Sequence, residues 1–78
     1  MNVAVVSPEQ VLFEGDATQV ITRTTEGDVA FLSGHAAFLG SLAPGETRVY
    51  LADGSVQRFD IEAGFVEVSH DTVSILVS

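Results

Sequence analysis

Turn-forming residues divide this chain into short apolar segments, and their spacing constrains the fold more than any other feature. Apolar residues do not recur at the period of about 3.6 residues that marks an amphipathic helix. Gly, Pro, Asp and Ser instead separate runs rich in Val, Ile, Thr and Phe, which is typical of strands joined by tight turns. Such a pattern predicts an all-β sandwich or flattened barrel with no helix. The predicted strands are Val3–Val6, Val11–Phe13, Thr18–Thr25, Val29–Leu32, Phe38–Leu42, Thr47–Leu51, Ser55–Ile61, Gly64–Val68 and Thr72–Val77.

Residue order also predicts which side chains share a face and where two turns lie. Because side chains alternate along a strand, one face of the third strand carries Thr18, Val20, Thr22 and Thr24. Asp53-Gly54 predicts a two-residue type I′ hairpin, a turn that needs a positive φ at both central residues. Glu26-Gly27-Asp28 predicts the turn between the third and fourth strands.

Composition excludes several classes of protein. The chain is long enough for one domain, 1–78, and 46% of its residues are hydrophobic, so it is not a disordered tail. Eleven acidic residues against three arginines give a net charge of −8, which repels nucleic acid. The absence of lysine excludes a biotinyl or lipoyl carrier, and the absence of cysteine excludes disulfides and thiol chemistry.

The same survey finds no segment for membrane insertion or export. No apolar run reaches the roughly 20 residues of a membrane span, and the N-terminus lacks the basic region and cleavage site of a signal peptide. The expected location is cytoplasmic, without direct membrane insertion. A domain this short gains little stability from its core, so we expect a partner surface to contribute to its stability.

Candidate catalytic and metal-binding residues are few. Ser33 and His35, with Asp28 to orient the ring, are the only hydrolase candidate, but the strand-to-helix turn of a nucleophile elbow is missing. His35 and His70 are far apart in sequence and lack further ligands at metal-binding spacing. We therefore predict no enzyme activity, no cofactor and no metal. The residues alone indicate a binding or structural module.

Five blocks of this sequence resemble, in order and spacing, the epsilon subunit of F-type ATP synthases, which is the delta subunit in mitochondria. The block from Gly27 to Leu39 is similar to the family signature E-G-E-x-G-I-x-P-G-H-A-P-x-L, which Glu26 begins. The other blocks are Val5–Gly15, Leu42–Gly45, Ala63–Val68 and Asp71–Leu76. The resemblance covers nearly the whole chain.

This resemblance implies a ten-stranded β-sandwich that acts as a non-catalytic subunit of the central rotor stalk. Such a subunit packs on the gamma subunit, touches the polar loops of the c ring and works in proton-driven ATP synthesis. The implied location is the cytoplasmic face of the cell membrane, through the complex. The alternative is a free-standing ligand-binding β-sandwich; it should enclose a cavity, whereas a stalk subunit should expose an apolar patch.

Interface residues follow from the resemblance position by position. Asp28 corresponds to the second acid of the E-G-E turn, which in the family faces the c ring, and Glu26 and Gly27 shape that turn. His35 corresponds to the signature histidine, in a loop near gamma and the ring, and Ser7 to a serine on the side that meets gamma. Asp28, Glu26 and His35 are expected together at the end of the sandwich that faces the ring, with a separate apolar face for gamma.

Two departures from the family pattern bear on these expectations. Family members generally continue into a C-terminal helical hairpin that can inhibit ATP hydrolysis, whereas this sequence stops at Ser78 and lacks the hairpin and its nucleotide motif. We expect no inhibition by helix insertion from these residues. Ser33 and Ala37 replace two prolines of the signature, which predicts a looser loop around His35.

Overall fold

Nine strands and no helix make up the fold in the computed structural model, which describes residues 1–78. Each of the nine segments predicted from the sequence overlaps one of these strands, so the all-β prediction is confirmed. The structure has nine strands, where the family resemblance implies ten. No helix is present that is long and apolar enough to cross a membrane. The strands are β1 (Asn2–Val6), β2 (Val11–Asp16), β3 (Gln19–Thr24), β4 (Gly27–Leu32), β5 (Phe38–Leu42), β6 (Gly45–Tyr50), β7 (Val56–Ile61), β8 (Gly64–Ser69) and β9 (Thr72–Val77).

All nine strands belong to one hydrogen-bonded sheet that folds over into two layers. Its order is β2-β1-β9-β8-β5-β3-β6-β7, and β4 pairs with β3 alone. The link between β5 and β3 is the single residue pair Thr24 and Leu42, where the sheet bends. The first layer is therefore β2-β1-β9-β8-β5, and the second layer is β4-β3-β6-β7. Neighbouring strands are antiparallel, except that β1 and β9 run parallel.

The core lies between these layers and follows the alternation that the sequence predicts. On β3, Val20, Thr22 and Thr24 are buried, as expected for one face of a strand, while Thr18 before the strand is exposed. Each fully buried Val, Ile or Phe contributes roughly 1.5–3 kcal/mol relative to exposure. The apolar core is Val3, Val5, Ala17, Val20, Phe31, Leu42, Val49, Ile61, Val66, Val68, Val73 and Ile75.

The turn between β3 and β4 lies earlier than the sequence predicts. Thr24 pairs with Gly27, so the loop is Thr25-Glu26, and Asp28 lies within β4. The Thr24 hydroxyl donates to the Gly27 carbonyl at 2.8 Å and accepts from the Glu26 N–H at 3.1 Å, which closes the turn at that point. Gly27 then enters β4 with a φ of 119°, which a glycine adopts without steric cost.

The β6–β7 turn is also different from the predicted type I′ hairpin. Leu51 and Ser55 face each other across a three-residue loop, and the Gly54 N–H donates to the Leu51 carbonyl at 3.0 Å. Gly54 has a φ of 91°, but Asp53 does not have the positive φ that type I′ requires. The Asp53 carboxylate instead accepts hydrogen bonds from the Ser55 N–H at 2.8 Å and the Ser55 hydroxyl at 2.6 Å. These bonds favour a three-residue loop with glycine in its last position.

Candidate functional site

The outer face of the first layer carries an apolar patch, defined as the half-buried Val6 and the exposed Val11, Leu39, Phe65 and Leu76. Strand register aligns four of these residues across the layer, with Val11 opposite Val6, Val6 opposite Leu76 and Leu76 opposite Phe65. Leu39 lies on β5, one strand beyond Phe65, and is 73% exposed. Phe65 is 55% exposed, which is unusual for so large an aromatic side chain. The apolar patch therefore spans all five strands of this layer.

A β-bulge adds Val11 to the apolar patch. Phe13 pairs with Val5, but Val11 pairs with Val6, so Leu12 is an extra residue on β2. A bulge re-aims the side chains on its strand. In a regular strand Val11, two residues before the inward-pointing Phe13, would lie on the same face as Phe13, whereas here Val11 and Leu12 are both exposed.

The outer face of the second layer is charged and carries all three arginines of the chain. Arg23 on β3 lies opposite Asp28 on β4, and its Nε donates to Asp28 Oδ1 at 2.9 Å. This hydrogen bond and the positive charge of Arg23 lower the pKa of the Asp28 carboxyl below its ordinary value. Asp28 is therefore already paired within the domain and stays ionised at neutral pH.

Two further arginines on this face share one carboxylate. Arg48 and Arg58 lie directly opposite each other on β6 and β7, and Glu46 Oε1 is 3.8 Å and 3.6 Å from their respective Nε atoms. A depression of about 230 Å³ lies beside them, lined by Ile21, Arg23, Asp28, Gly45, Glu46 and Arg48. Its lining carries both positively and negatively charged side chains, unlike the largely apolar pockets that bind small molecules.

The structure places the predicted interface residues at two ends of the sandwich. Ser7 follows β1 directly and closes the β1–β2 turn, where its hydroxyl donates to the Gln10 carbonyl at 3.2 Å. The turn that holds Glu26 lies at the same end of the sandwich. Thr24, just before this turn, pairs with the last residue of β5, and from there the pairing leads through the start of β8 and the end of β9 to Val6, just before Ser7. His35 follows the opposite end of β4, about 16 Å away for a six-residue strand. The structure therefore brings Glu26, Gly27 and Asp28 together, but not with His35.

His35 is a half-buried ring held by aromatic neighbours. Its centroid lies 4.8 Å from that of Phe31 in an edge-on arrangement and 6.5 Å from that of Phe38. Its Nδ1 is 2.6 Å from the carbonyl oxygen of Ala36. Through these contacts His35 packs the β4–β5 connection against the edge of the core.

The hydrolase arrangement considered from the sequence is not formed. The Ser33 hydroxyl donates to Asp71 Oδ1 at 2.8 Å and not to an imidazole nitrogen. Asp28 lies near the other end of β4, where it pairs with Arg23. Ser33 therefore has no imidazole within hydrogen-bond reach, and the serine–histidine pair that the hydrolase would need is absent. No group of three or more His, Asp or Glu side chains is close enough to hold a metal ion.

Sequence reasoning expected an apolar face but did not identify its residues. The signal was present in β8 and β9, where apolar residues stand at adjacent positions: Phe65 next to Val66, and Leu76 next to Ile75. Adjacent residues of a strand point to opposite faces, so one of each pair must face outward. The bulge at Leu12, by contrast, depends on pairing between β1 and β2 and leaves no comparable trace in the sequence.

Comparison with known proteins gives a consistent match. Residues 1–78 match the family model of the ATP synthase delta/epsilon chain β-sandwich domain. The ATP synthase epsilon chain of Frankia casuarinae is 46% identical over 76 residues, covering 97% of this chain and 89% of that protein. The epsilon chain of Ruminococcus albus is 44% identical, covering 95% of this chain and 55% of that protein. The chain thus spans most of the first relative and about half of the second.

Solved structures show the same fold. A chain in the mitochondrial ATP synthase of Euglena gracilis, described as its OSCP/F1/c-ring part, superposes with a TM-score of 0.90 at 25% identity, covering 96% of this chain and 48% of that one. A chain in the central stalk and c-ring structure of the Tetrahymena thermophila enzyme superposes with a TM-score of 0.81 at 23% identity, covering 99% and 62%. The second likeness concerns the fold alone. Because the family model matches all 78 residues, the chain belongs to the ATP synthase delta/epsilon family and corresponds to the β-sandwich domain of that family.

Proposed function

We propose that this chain is a non-catalytic subunit of the central rotor stalk of an F-type ATP synthase, and that it links the gamma subunit to the c ring. The observation that carries this proposal is the apolar patch across all five strands of the first layer. Contiguous apolar patches on a soluble domain mark sites where another protein binds. Membership of the delta/epsilon family supports a partner within the ATP synthase complex.

The apolar patch is the proposed contact with gamma. Ser7 supports this assignment, because it follows Val6 of the apolar patch directly and lies at its border. His35 lies at the opposite end of the sandwich from both Ser7 and Glu26, and it is assigned to the gamma side only because the family resemblance puts the signature histidine near gamma. Covering Leu39 and Phe65 removes two large apolar side chains from water, and aromatic anchors of this kind often dominate interface energetics.

The β3–β4 hairpin is the proposed contact with the polar loops of the c ring. Glu26 lies at its tip, exposed and without an ion-pair partner in the domain, and Gly27 supplies the positive φ with which the chain enters β4. Asp28 is engaged by Arg23, so it holds the hairpin in shape and contributes less free charge. A rim ion pair from Glu26 contributes about 1 kcal/mol or less.

The proposed subunit needs no catalytic residue, cofactor or metal of its own. It would act at the cytoplasmic face of the cell membrane through the complex, without inserting into the bilayer and without binding nucleic acid. The alternative function, a free-standing ligand-binding sandwich, is not favoured by any feature of the structure. The depression beside Arg23 and Arg48 is small and lined mainly by charged side chains.

Thermal unfolding with and without a gamma subunit tests the proposal. A partner that binds only the folded state stabilises it by mass action, by about 2.7 kcal/mol at one hundred times the dissociation constant. The melting temperature of the domain should therefore rise with gamma concentration. A Leu39→Ser variant should show a smaller rise, and Asp60→Asn on the other layer should behave as the parent. A melting temperature independent of gamma would contradict the stalk assignment.

Crosslinking tests the orientation, and the absence of cysteine makes each introduced thiol unique. Cysteine at position 26 should crosslink to c-ring loops in the assembled enzyme. Cysteine at position 53, in the β6–β7 turn at the other end, should not. Crosslinking from position 53 alone would reverse the proposed orientation.

A further inference from the structure

We infer that the partner covering the apolar patch presents a lysine or arginine to Glu67, so that this carboxylate determines the specificity of the contact. The inference rests on the proposed function, because it describes the chemistry of the gamma surface that meets the first layer. The inference is based on the position of Glu67 among the residues of the apolar patch: a partner that covers the patch also covers the charged Glu67 carboxylate.

Strand register places Glu67 among apolar neighbours. It lies directly opposite Leu39 on β5 and two residues after Phe65 on the same face of β8, with Ser74 opposite it on β9. Glu67 forms no ion pair or hydrogen bond within the domain, and the five strands of the first layer contain no lysine or arginine. A surface that packs against Leu39 and Phe65 therefore also removes water from Glu67.

Removing an unpaired carboxylate from water costs free energy and weakens binding. If the partner places a cation beside the carboxylate, the ion pair offsets this cost, and the contact becomes specific for partners that carry the cation. The partner must therefore supply that cation, because this layer has none to offer. Glu14 provides a useful contrast. It lies in the same register row, through Ala4 and Ser74, but three strands from Glu67, or about 14 Å away at the edge of the layer. There solvent screens it, and its effect should be weak.

The test measures binding of the full chain and its variants to the gamma subunit of the Frankia casuarinae enzyme, by titration calorimetry at several salt concentrations. Glu67→Gln should weaken binding about tenfold and reduce its salt dependence, and Glu67→Lys should weaken it further. Glu14→Gln should change affinity by less than about threefold. Asp60→Asn removes the same charge from the opposite layer and should leave affinity unchanged. Melting temperatures of the unbound variants establish that each is folded.

The possible outcomes separate the inference from the proposed function. If Leu39→Ser abolishes binding while Glu67→Gln has no effect or tightens it, no cation faces Glu67; the inference is then wrong and the stalk contact remains. If the parent chain does not bind gamma, the proposed function fails as well. If sedimentation shows a dimer that Leu39→Ser dissociates, a second copy covers the apolar patch, and that result also overturns the inference.

Discussion

Thr22 and Thr47 form the one side-chain hydrogen bond buried in the core, with their hydroxyl oxygens 2.7 Å apart. Replacing either residue by valine leaves the other hydroxyl unpaired among apolar atoms, which costs about 1–3 kcal/mol. Replacing both leaves no unpaired group, so Thr22→Val/Thr47→Val should be closer in stability to the parent than either single variant. A double-mutant cycle from urea unfolding measures this coupling. Simple additivity of the two losses would contradict it.

Gly64 is the residue least able to accept a side chain. Its φ is 150°, and a Cβ there would lie 2.0 Å from the carbonyl oxygen of Leu76, which belongs to the backbone of β9. Gly64→Ala should therefore displace β9 and cost several kcal/mol, enough to unfold much of a domain this small. Gly15→Ala is the control, since its Cβ would meet only Phe13 at an ordinary 3.5 Å. Circular dichroism on heating checks both, and equal stability of the two variants would refute the argument.

Among the elements, the β6–β7 turn should make stability depend on pH. Hydrogen bonds from the Ser55 hydroxyl, and next from its N–H, lower the pKa of the Asp53 carboxyl. Because the Asp53 carboxyl then binds a proton more readily in the unfolded chain than in the folded one, these hydrogen bonds stabilise the fold fully above the unfolded pKa of about 3.9. This stabilisation is lost as the pH falls through the lower folded pKa. The Arg23 hydrogen bond lowers the pKa of Asp28 as well, so the β3–β4 hairpin follows the same sign.

The contribution of Asp53 and Asp28 to the melting temperature should accordingly be constant from about pH 7 to pH 5 and be lost below about pH 4. Asp53→Asn retains an acceptor oxygen for Ser55 but does not titrate there, so its loss in acid should be smaller. Asp60→Asn, which has no hydrogen bond in the domain, should follow the parent. An acid profile of Asp53→Asn identical to that of the parent would show that the turn does not contribute.

The strands were predictable because β-branched residues favour extended backbone and Gly, Pro, Asp and Ser favour turns, and both local preferences agree with the fold. The turn types were not, because side-chain hydrogen bonds decide them. The Thr24 hydroxyl closes its hairpin early, and Ser55 donates two hydrogen bonds to the Asp53 carboxylate within a three-residue loop. The separation of His35 from Glu26 was predictable, because the predicted strand Val29–Leu32 lies between them and a six-residue strand places its two ends about 16 Å apart.

At the scale of the whole molecule, charge is unevenly distributed. All three arginines lie on the outer face of the second layer, where they form ion pairs with Asp28 and Glu46 alone. Asp16 and Asp71 lie beside the N-terminal ammonium, so seven of the eleven acidic residues form no ion pair. Repulsion among unpaired carboxylates destabilises a compact state and is screened by salt. Raising sodium chloride from about 10 to 200 mM should therefore raise the melting temperature of the isolated domain by a few degrees.

A variant with fewer unpaired carboxylates provides the control for the salt experiment. Glu9→Gln/Glu62→Gln removes two exposed charges from the loops, so its melting temperature should start higher and gain less from salt. A melting temperature that falls as salt is added would mean that the exposed ion pairs of Arg23, Arg48 and Arg58 outweigh the repulsion.

The parallel pairing of β1 with β9 has a consequence for the time at which the domain folds. Asn2 pairs with Thr72, so β1 leaves the ribosome about 70 residues before its partner β9. At about 5–20 residues per second the interval is roughly 4–14 s. During that time β1 can form only a marginal hairpin with β2, and Val3 and Val5 remain in contact with water or a chaperone. Folding is therefore expected to occur late and in one cooperative step, with the slow kinetics of a topology dominated by distant contacts.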